Sequence, residues 1–170
     1  VRNIPHPPTL LEVGVDRGVS FMTMATYLAR TRPNFFAIGV DVLIQEQVAI
    51  MVQNLDVSES QKVQLVQGNS LVVLPDFVSR EMKFDVVMLD GDHNYHTVTN
   101  ELVAIQRLVH NGSMIVIDDY DGKWSERDLW YSERAGYESV LNVSPRVNTE
   151  KHGVKSAVDD WLTLHPEWIK

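Results

Sequence analysis

The sequence contains no cysteine, so disulfide bonds and thiolate metal sites are excluded. This absence agrees with a reducing compartment, and we expect a cytoplasmic protein. No apolar run approaches the length of a membrane span, and residues 1–8 lack the apolar core of a signal peptide. We therefore expect no membrane partner. The chain begins with Val1 instead of methionine, which is typical of a processed, tagged or excised segment.

Positive charge is also scarce, with 15 lysine and arginine residues against 23 aspartate and glutamate residues, for a net charge of -8. Nucleic-acid-binding proteins concentrate lysine and arginine on one face. We therefore expect no nucleic-acid partner. The 170 residues suffice for one globular domain but not comfortably for two. Residues 1–170 are thus predicted to form a single domain.

Short apolar runs alternate with longer stretches of helical periodicity. The runs cover residues 9–13, 35–41, 63–67, 84–90 and 114–118, and the helical stretches cover 19–31, 43–55, 70–80, 95–109 and 153–164. Nearly continuous apolar runs are typical of strands that are buried on both faces. The alternation predicts an α/β fold, namely a doubly wound, mainly parallel sheet with helices on both faces. Right-handed crossovers favour the strand order 3-2-1-4-5.

Residues 119–152 interrupt this alternation. They are rich in aromatic residues that are interleaved with charges, and they show no clear period. A long irregular stretch in a compact domain is usually a functional lid or a disordered segment. We expect an aromatic lid at about 119–152.

Glycines and polar residues follow all five predicted strands. They are Glu12, Gly14 and Gly18 after the first strand, Asp41 after the second, Gly68, Asn69 and Ser70 after the third, Asp90, Asp92 and His93 after the fourth, and Asp118 and Asp119 after the fifth. Doubly wound sheets bind ligands at the carboxyl ends of their strands, near the switch between the first and fourth strands. The coincidence of five strand ends predicts a site for a small molecule.

The glycine turn has the spacing Glu12-x-Gly14-x-x-x-Gly18. Glycine allows sharp bends and the close approach of a ligand, and the helix that follows offers free N–H groups. The alternative to a ligand-binding role is a tight strand–helix turn, which needs glycine only because its backbone has positive φ. The spacing differs from the G-x-G-x-x-G of dinucleotide sites, which disfavours a dehydrogenase. Asp41 suits a bidentate contact to ribose hydroxyls, or it caps a helix that begins near Leu43.

Carboxylates are expected to converge where the fourth and fifth strands end, at Asp90, Asp118 and Asp119. Carboxylates that lie together repel one another unless a cation or protons intervene, and oxygen ligands suit Mg²⁺. These three residues are therefore predicted to bind Mg²⁺. The alternative is that Asp92 or Asp119 only caps a turn.

His93 is a candidate general base because imidazole titrates near working pH. The alternative is an exposed loop histidine. The sequence assigns no role to His96, His110, His152 or His165.

These segments together resemble class I S-adenosylmethionine-dependent methyltransferases. The residues that carry the resemblance are L-E-V-G-V-D-R-G-V-S at 11–20, G-N-S at 68–70, L-D-G-D-H-N-Y at 89–95, I-D-D-Y at 117–120 and the helix at 153–162. The similarity is closer to the metal-dependent macrocin-type sugar O-methyltransferases and their cephalosporin hydroxylase-like relatives, and it covers residues 9–165. It implies a Rossmann-like enzyme that uses S-adenosylmethionine and Mg²⁺ to methylate a hydroxyl of a small molecule, namely a sugar, polyol or phenol.

The resemblance also implies roles for individual residues. Glu12, Gly14 and Gly18 would surround the methionine part of the cofactor, Asp41 would hold the ribose, Asn69 and Ser70 would lie at the adenine, and Asp90 would lie beside the cofactor. Asp90, Asp118 and Asp119 would bind Mg²⁺, and Asp92 or His93 would accept the proton. Position 69 is asparagine where many relatives carry aspartate.

Relatives usually add two strands after the last helix, whereas this chain stops at residues 168–170. Three alternatives follow: those strands lie in a missing segment, residues 137–148 replace one of them, or a partner subunit covers the sheet edge in a homodimer. The functional alternatives are a metal-free methyltransferase, a non-catalytic domain of this type, and a dinucleotide-binding domain.

Overall fold

In this computed structural model, which describes residues 6–168, a five-stranded parallel sheet runs through the centre of the molecule. Its strands are β1 (Thr9–Val13), β2 (Phe35–Asp41), β3 (Gln61–Gln67), β4 (Val86–Leu89) and β5 (Met114–Ile117). Their order is β3-β2-β1-β4-β5, and every neighbouring pair is parallel. The predicted fold class and strand order are confirmed.

Helices cover both faces of the sheet. They are α1 (Val19–Thr31), α2 (Glu46–Gln53), α3 (Ser70–Ser79), α4 (Tyr95–Leu108) and α5 (Gly153–Leu164). One core packs α3, α4 and α5 against the sheet, and the other packs α1 and α2 against the opposite face. In α1 the buried residues Phe21, Ala25 and Leu28 recur at helical spacing, so one stripe of that helix faces the sheet.

Helix α2 begins three residues later than the sequence predicts. The backbone N–H of Leu43 donates to the Asp41 carboxylate over 2.9 Å, and this contact turns the chain before the helix starts. The N-cap residue of α2 is Gln45. Asp41 therefore does not cap this helix, and that alternative is wrong.

The segment at 119–152, called the lid here, folds over the carboxyl ends of the strands. Its one regular element is a 3-10 turn at Tyr131–Glu133. The backbone N–H of Leu129 donates to the His93 carbonyl, and Trp130 is buried. Residues 137–148 contain turns and irregular backbone but no strand, so they do not replace a strand of the sheet, and that alternative is wrong.

None of the helices within residues 6–168 combines the length and the apolar character that crossing a bilayer requires.

Candidate active site

The ends of β1 to β4 and the lid enclose one cavity. Six of the predicted site residues line it, namely Gly14, Asp41, Asn69, Ser70, Asp90 and Asp92. The lid contributes Tyr131, Tyr137, Val143 and Ser144. The strand ends therefore meet at one edge, as parallel pairing requires, and the lid forms the opposite wall.

The two glycines of the turn after β1 both have positive φ. Gly14 has φ 88° and donates from its N–H to the Val40 carbonyl over 2.8 Å. A Cβ at Gly14 would overlap the carbonyl of Asp90, so the turn can lie against the end of β4 only without a side chain. Gly18 has φ 76° and precedes α1. The fold itself requires the turn, and the contact of both glycines with a cofactor stays a prediction.

Glu12 lies fully buried on β1, between Gly39 of β2 and Met88 of β4. One carboxylate oxygen accepts a hydrogen bond from Ser20 Oγ over 2.6 Å. The other oxygen, Oε2, has no hydrogen-bond partner among residues 6–168. Burial raises the pKa of Glu12 to about 7, against the opposing effect of the Ser20 hydrogen bond.

Asp41 binds the glycine turn through its side chain. Its Oδ2 accepts hydrogen bonds from the backbone N–H groups of Val15 and Asp16 over 2.8 and 2.9 Å. A carboxylate offers about four acceptor positions, and three are occupied when Leu43 is included. Asp41 therefore positions the turn and retains acceptor capacity toward the cavity.

Asn69 caps α3 and holds the lid. Its Oδ1 accepts from the Leu71 N–H over 2.9 Å, while its Nδ2 donates to the Asn142 carbonyl and to Ser144 Oγ. Both amide hydrogens are thus used by the lid. A contact between Asn69 and an adenine would exchange one of these bonds, whereas Ser70, at the start of α3, is buried in the cavity wall.

Glu101 of α4 also lines the cavity, and the sequence prediction did not include it. The side chain is fully buried, and its Oε1 has no hydrogen-bond partner within the described residues. Burial raises the pKa of Glu101 to about 8, opposed by a hydrogen bond from Ser70 and reinforced by the charge of Asp92. The sequence feature that could have predicted this position is a glutamate on the apolar face of α4, on the same side of the helix as Val98 and Ile105.

Replacing Glu101 with glutamine should change how stability depends on pH. The folded state keeps the Glu101 proton up to about pH 8, whereas the unfolded chain releases it near 4.5. The wild type therefore loses stability as pH rises through that window, by up to about 1.4 kcal/mol per pH unit from this group. We expect the variant to gain stability relative to the wild type from pH 5 to pH 8 in urea unfolding.

The matched control for this experiment is Glu59→Gln, because Glu59 is exposed. Parallel stability curves for the wild type and Glu101→Gln across this pH range would show that Glu101 is not held protonated by the fold.

Two carboxylates and one imidazole converge beside the cavity. Ligand atoms of Asp90, His93 and Asp118 all lie within 4.8 Å of one another. Burial, followed by the neighbouring Asp118 charge and a hydrogen bond with Asp118, raises the pKa of Asp90 to about 7, with smaller contributions from Glu12 and Asp119. The pair of carboxylates at the ends of β4 and β5 therefore forms as the strand order predicts.

Asp119 takes a different position from the one predicted. It has φ 56°, so its side chain leaves the backbone in another direction than that of Asp118. The group of three ligand atoms includes His93 and not Asp119. Asp119 Oδ2 instead lies 3.6 Å from His93 Nδ1. The structure thus places Asp119 behind the imidazole, and its role as a metal ligand stays a prediction.

His93 is buried, so the alternative of an exposed loop histidine is wrong. Its Nε2 lies 3.6 Å from Asp90 Oδ1, on the opposite side of the ring from Asp119. Burial lowers the pKa of His93, while the charges of Asp119 and Asp118 oppose that effect. The ring therefore lies between two carboxylates, at distances longer than those of hydrogen bonds.

Asp92 connects the lid to α4. Its Oδ1 accepts from the Tyr131 N–H over 3.3 Å, and its Oδ2 accepts from Thr97 Oγ1 over 3.4 Å. Burial raises the pKa of Asp92 to about 6, against the opposing hydrogen bonds from Tyr131 and Thr97. Both oxygens of Asp92 therefore hold protein groups.

Comparisons with known proteins agree with this fold. Among solved structures, CalS11, a TDP-rhamnose 3'-O-methyltransferase of calicheamicin biosynthesis, superposes with a TM-score of 0.55 at 19% identity, covering 69% of this chain and 58% of its own. MycE, a methyltransferase of the mycinamycin pathway in complex with Mg and SAH, superposes with a TM-score of 0.51 at 22% identity over 67% of this chain and 28% of its own. A second crystal form of MycE covers 97% of this chain and 38% of its own, with a TM-score of 0.55 at 18% identity.

One curated protein shares a short segment. It is "Uncharacterized protein R132" of Acanthamoeba polyphaga mimivirus, which is 43% identical over 42 residues, or 24% of this chain and 19% of that protein. This chain thus spans about a fifth of that protein and 58% or less of the structures described above.

A family model described as a methyltransferase domain matches residues 11–120, which run from β1 through the Asp118–Asp119 pair. This range contains every residue that the sequence assigned to the site. The chain therefore belongs to the methyltransferase-domain family, and it has the fold of class I S-adenosylmethionine-dependent methyltransferases.

Proposed function

We propose that the protein transfers the methyl group of S-adenosylmethionine to a hydroxyl of a small sugar-like molecule, with Mg²⁺ bound by Asp90 and Asp118. The observation that carries this proposal is the position of the two carboxylates. Their ligand atoms lie within 4.8 Å of each other near the switch of the sheet. Asp90 lines the cavity beside the glycine turn, and Asp118 lies next to it, outside the lining residues.

The residues around the glycine turn fit the cofactor. Glu12 Oε2 is a buried acceptor without a partner in the described chain, and it would suit the ammonium group of the methionine part, although Glu12 is not among the residues that line the cavity. Gly14 allows the turn to lie directly against the backbone of Asp90, and Asp41 retains an acceptor position for a ribose hydroxyl. Ser70, Glu101 and the lid form the remainder of the cavity, where the adenine would lie.

The acidic pair fits a hard divalent cation. Asp90 and Asp118 repel each other when both are ionised, and this repulsion contributes to the raised pKa of Asp90. Mg²⁺ is commonly held by one or two carboxylates and completes its shell with water and substrate oxygens. When bound there, the ion would lower the pKa of an acceptor hydroxyl.

We assign the proton acceptor to His93, with Asp92 as the alternative. His93 lies between Asp90 and Asp119, 3.6 Å from each, and Mg²⁺ prefers oxygen ligands, so the imidazole would remain available to accept a proton. Both oxygens of Asp92 already accept hydrogen bonds from Tyr131 and Thr97. Geometry therefore favours the histidine.

The lid must open before the cofactor enters. The space left free inside the cavity is about 50 Å³, which holds only a few water molecules. Tyr131 and Tyr137 pack against each other with ring centroids 4.8 Å apart, and both line the cavity. A lid that closes over bound ligands excludes water during the reaction.

The class of acceptor rests on similarity of fold. The structures that superpose on this chain include a TDP-rhamnose 3'-O-methyltransferase and MycE with Mg and SAH. The acidic pair adds a physical reason, since a cation held by two carboxylates can also bind neighbouring hydroxyls of a sugar. We therefore propose a sugar-type hydroxyl as the acceptor.

The test is transfer of a labelled methyl group from S-adenosylmethionine to a panel of sugars, polyols and catechols, with and without EDTA. We expect product on at least one diol and its loss when the metal is removed. Turnover that persists in EDTA would contradict the metal assignment, and binding of NADH instead of SAH would contradict the methyltransferase assignment.

A further inference from the structure

A second group of metal-ligating side chains lies at the opposite edge of the sheet. His6 precedes β1, Asp85 precedes β4, and His110 lies between α4 and β5. One ligand atom from each lies within 4.8 Å of the other two. Because the strands are parallel, these residues occupy the amino edge, across the sheet from the cavity, and the inference is independent of the proposed function.

The two distances from Asp85 to the histidines are close to those of tetrahedral coordination. Asp85 Oδ1 lies 3.1 Å from His110 Nε2 and 3.4 Å from His6 Nε2. Two ligand atoms about 2.0–2.1 Å from a tetrahedral ion are separated by about 3.3 Å. An ion of that size can therefore bridge Asp85 and either histidine, and one ligand atom of each imidazole lies within 4.8 Å of the other.

Hydrogen bonds orient both imidazole rings. Nδ1 of His6 lies 3.1 Å from the Pro7 carbonyl, and Nδ1 of His110 lies 3.0 Å from the Asn111 carbonyl. A carbonyl only accepts hydrogen bonds, so each Nδ1 carries the hydrogen and each neutral ring directs its Nε2 lone pair at Asp85. This arrangement, with the far nitrogen bound to a carbonyl, is typical of metal-binding histidines.

Hydrogen bonds also hold the third ligand, Asp85, in place. Asp85 is buried, and its Oδ2 accepts hydrogen bonds from the N–H and the hydroxyl of Thr9 over 2.7 and 2.9 Å. Oδ1 is thereby left to face the two imidazoles. Two nitrogen lone pairs and one anionic oxygen repel each other unless protons or a cation lie between them.

We propose that His6, Asp85 and His110 bind a divalent transition-metal ion of the zinc class, with water as the fourth ligand. Two imidazoles and one carboxylate select zinc over Mg²⁺, which prefers oxygen alone. The His6 and His110 side chains are 46% and 34% exposed, so the ion can enter from solvent. The bound ion would link the segment before β1 to the amino ends of β4 and β5.

The test is isothermal titration of the full chain, freed of any affinity tag, with Zn²⁺, in the wild type and in the variant that lacks both His6 and His110. We expect one more Zn²⁺ per wild-type chain than per chain of the double variant, release of protons at low pH, and a rise in thermal midpoint. His6→Ala and His110→Ala should each lower the affinity at least about tenfold. Co²⁺ should show the visible bands of tetrahedral coordination in the wild type only.

His152→Ala is the matched control, because His152 forms a comparable pair with Asp128 over 2.7 Å, and within residues 6–168 this pair belongs to no group of three ligands. Its Zn²⁺ affinity should equal that of the wild type. Equal affinity in the wild type and in the variant that lacks both His6 and His110 would overturn the proposal. Absence of saturable binding would also overturn it and would leave a protonated histidine–aspartate cluster in its place.

Discussion

Replacing Asp118 with asparagine is expected to reduce Mg²⁺-dependent methyl transfer by about 100-fold or more, while SAH affinity changes by less than about threefold. Asp118 lies in the acidic pair with Asp90, outside the residues that line the cavity. The loss should therefore fall on metal binding and on activation of the acceptor. Initial rates at increasing Mg²⁺ and titration with SAH measure the two effects separately.

Stability provides an independent readout for the same variant. The Asp118 charge helps to raise the pKa of Asp90, so ionisation of the pair opposes folding in metal-free buffer. Asp118→Asn removes that repulsion, and its thermal midpoint should not fall below that of the wild type. A fall in both activity and stability would indicate a structural role instead.

Asp121→Asn serves as the control for Asp118→Asn. Asp121 follows the same strand but is exposed and pairs with Lys155 over 3.0 Å. Its activity should stay within about twofold of the wild type. Equal losses in the two variants would contradict the metal assignment.

Gly14→Ala is expected to destabilise the protein by about 3 kcal/mol or more and to abolish SAH binding. The residue has φ 88°, and a Cβ would overlap the Asp90 carbonyl, which belongs to rigid backbone. Left-handed strain costs about 1–3 kcal/mol, and forced repacking adds a similar amount. Because Asp90 must move, the variant should also lose metal-dependent activity. Urea unfolding and calorimetry with SAH measure these effects.

Gly112→Ala separates the cost of positive φ from the cost of the overlap between a Cβ and the Asp90 backbone. Gly112 has φ 93°, but a Cβ there would meet nothing within 4 Å. Its variant should show the strain alone, about 1–2 kcal/mol, with normal SAH binding. If Gly14→Ala costs no more than Gly112→Ala, the close contact between the turn and Asp90 is not a constraint of the fold.

The residues at the strand ends show how much of the site can be predicted from the sequence. Each of Gly14, Asp41, Asn69, Ser70 and Asp90 ends a strand or follows it directly, so strand order alone brings them to one edge. Their individual contacts are another matter. Asn69 uses its amide on the lid residues Asn142 and Ser144, which are more than seventy positions away along the chain. No local pattern encodes that pairing.

Glu101 and Asp119 are two further residues whose side-chain positions the sequence does not specify. The face of α4 that carries Glu101 is otherwise apolar, so the sequence predicts a core position for this residue. The packing of α4 against α3 nevertheless places its carboxyl group in the cavity. Asp119 adjoins Asp118 in sequence, but its positive φ turns the side chain toward His93. Neither side-chain position follows from residue type or spacing.

The alternation of apolar runs and helices determined the parallel sheet, its order and the edge where polar groups collect, because burial on both faces leaves few other arrangements for such a chain. Only the tertiary structure decided which groups touch: His93 beside Asp90, Glu101 under the lid, and the histidine pair at Asp85. These contacts join residues from separate elements. Their distances depend on how helices and loops pack, which local periodicity does not specify.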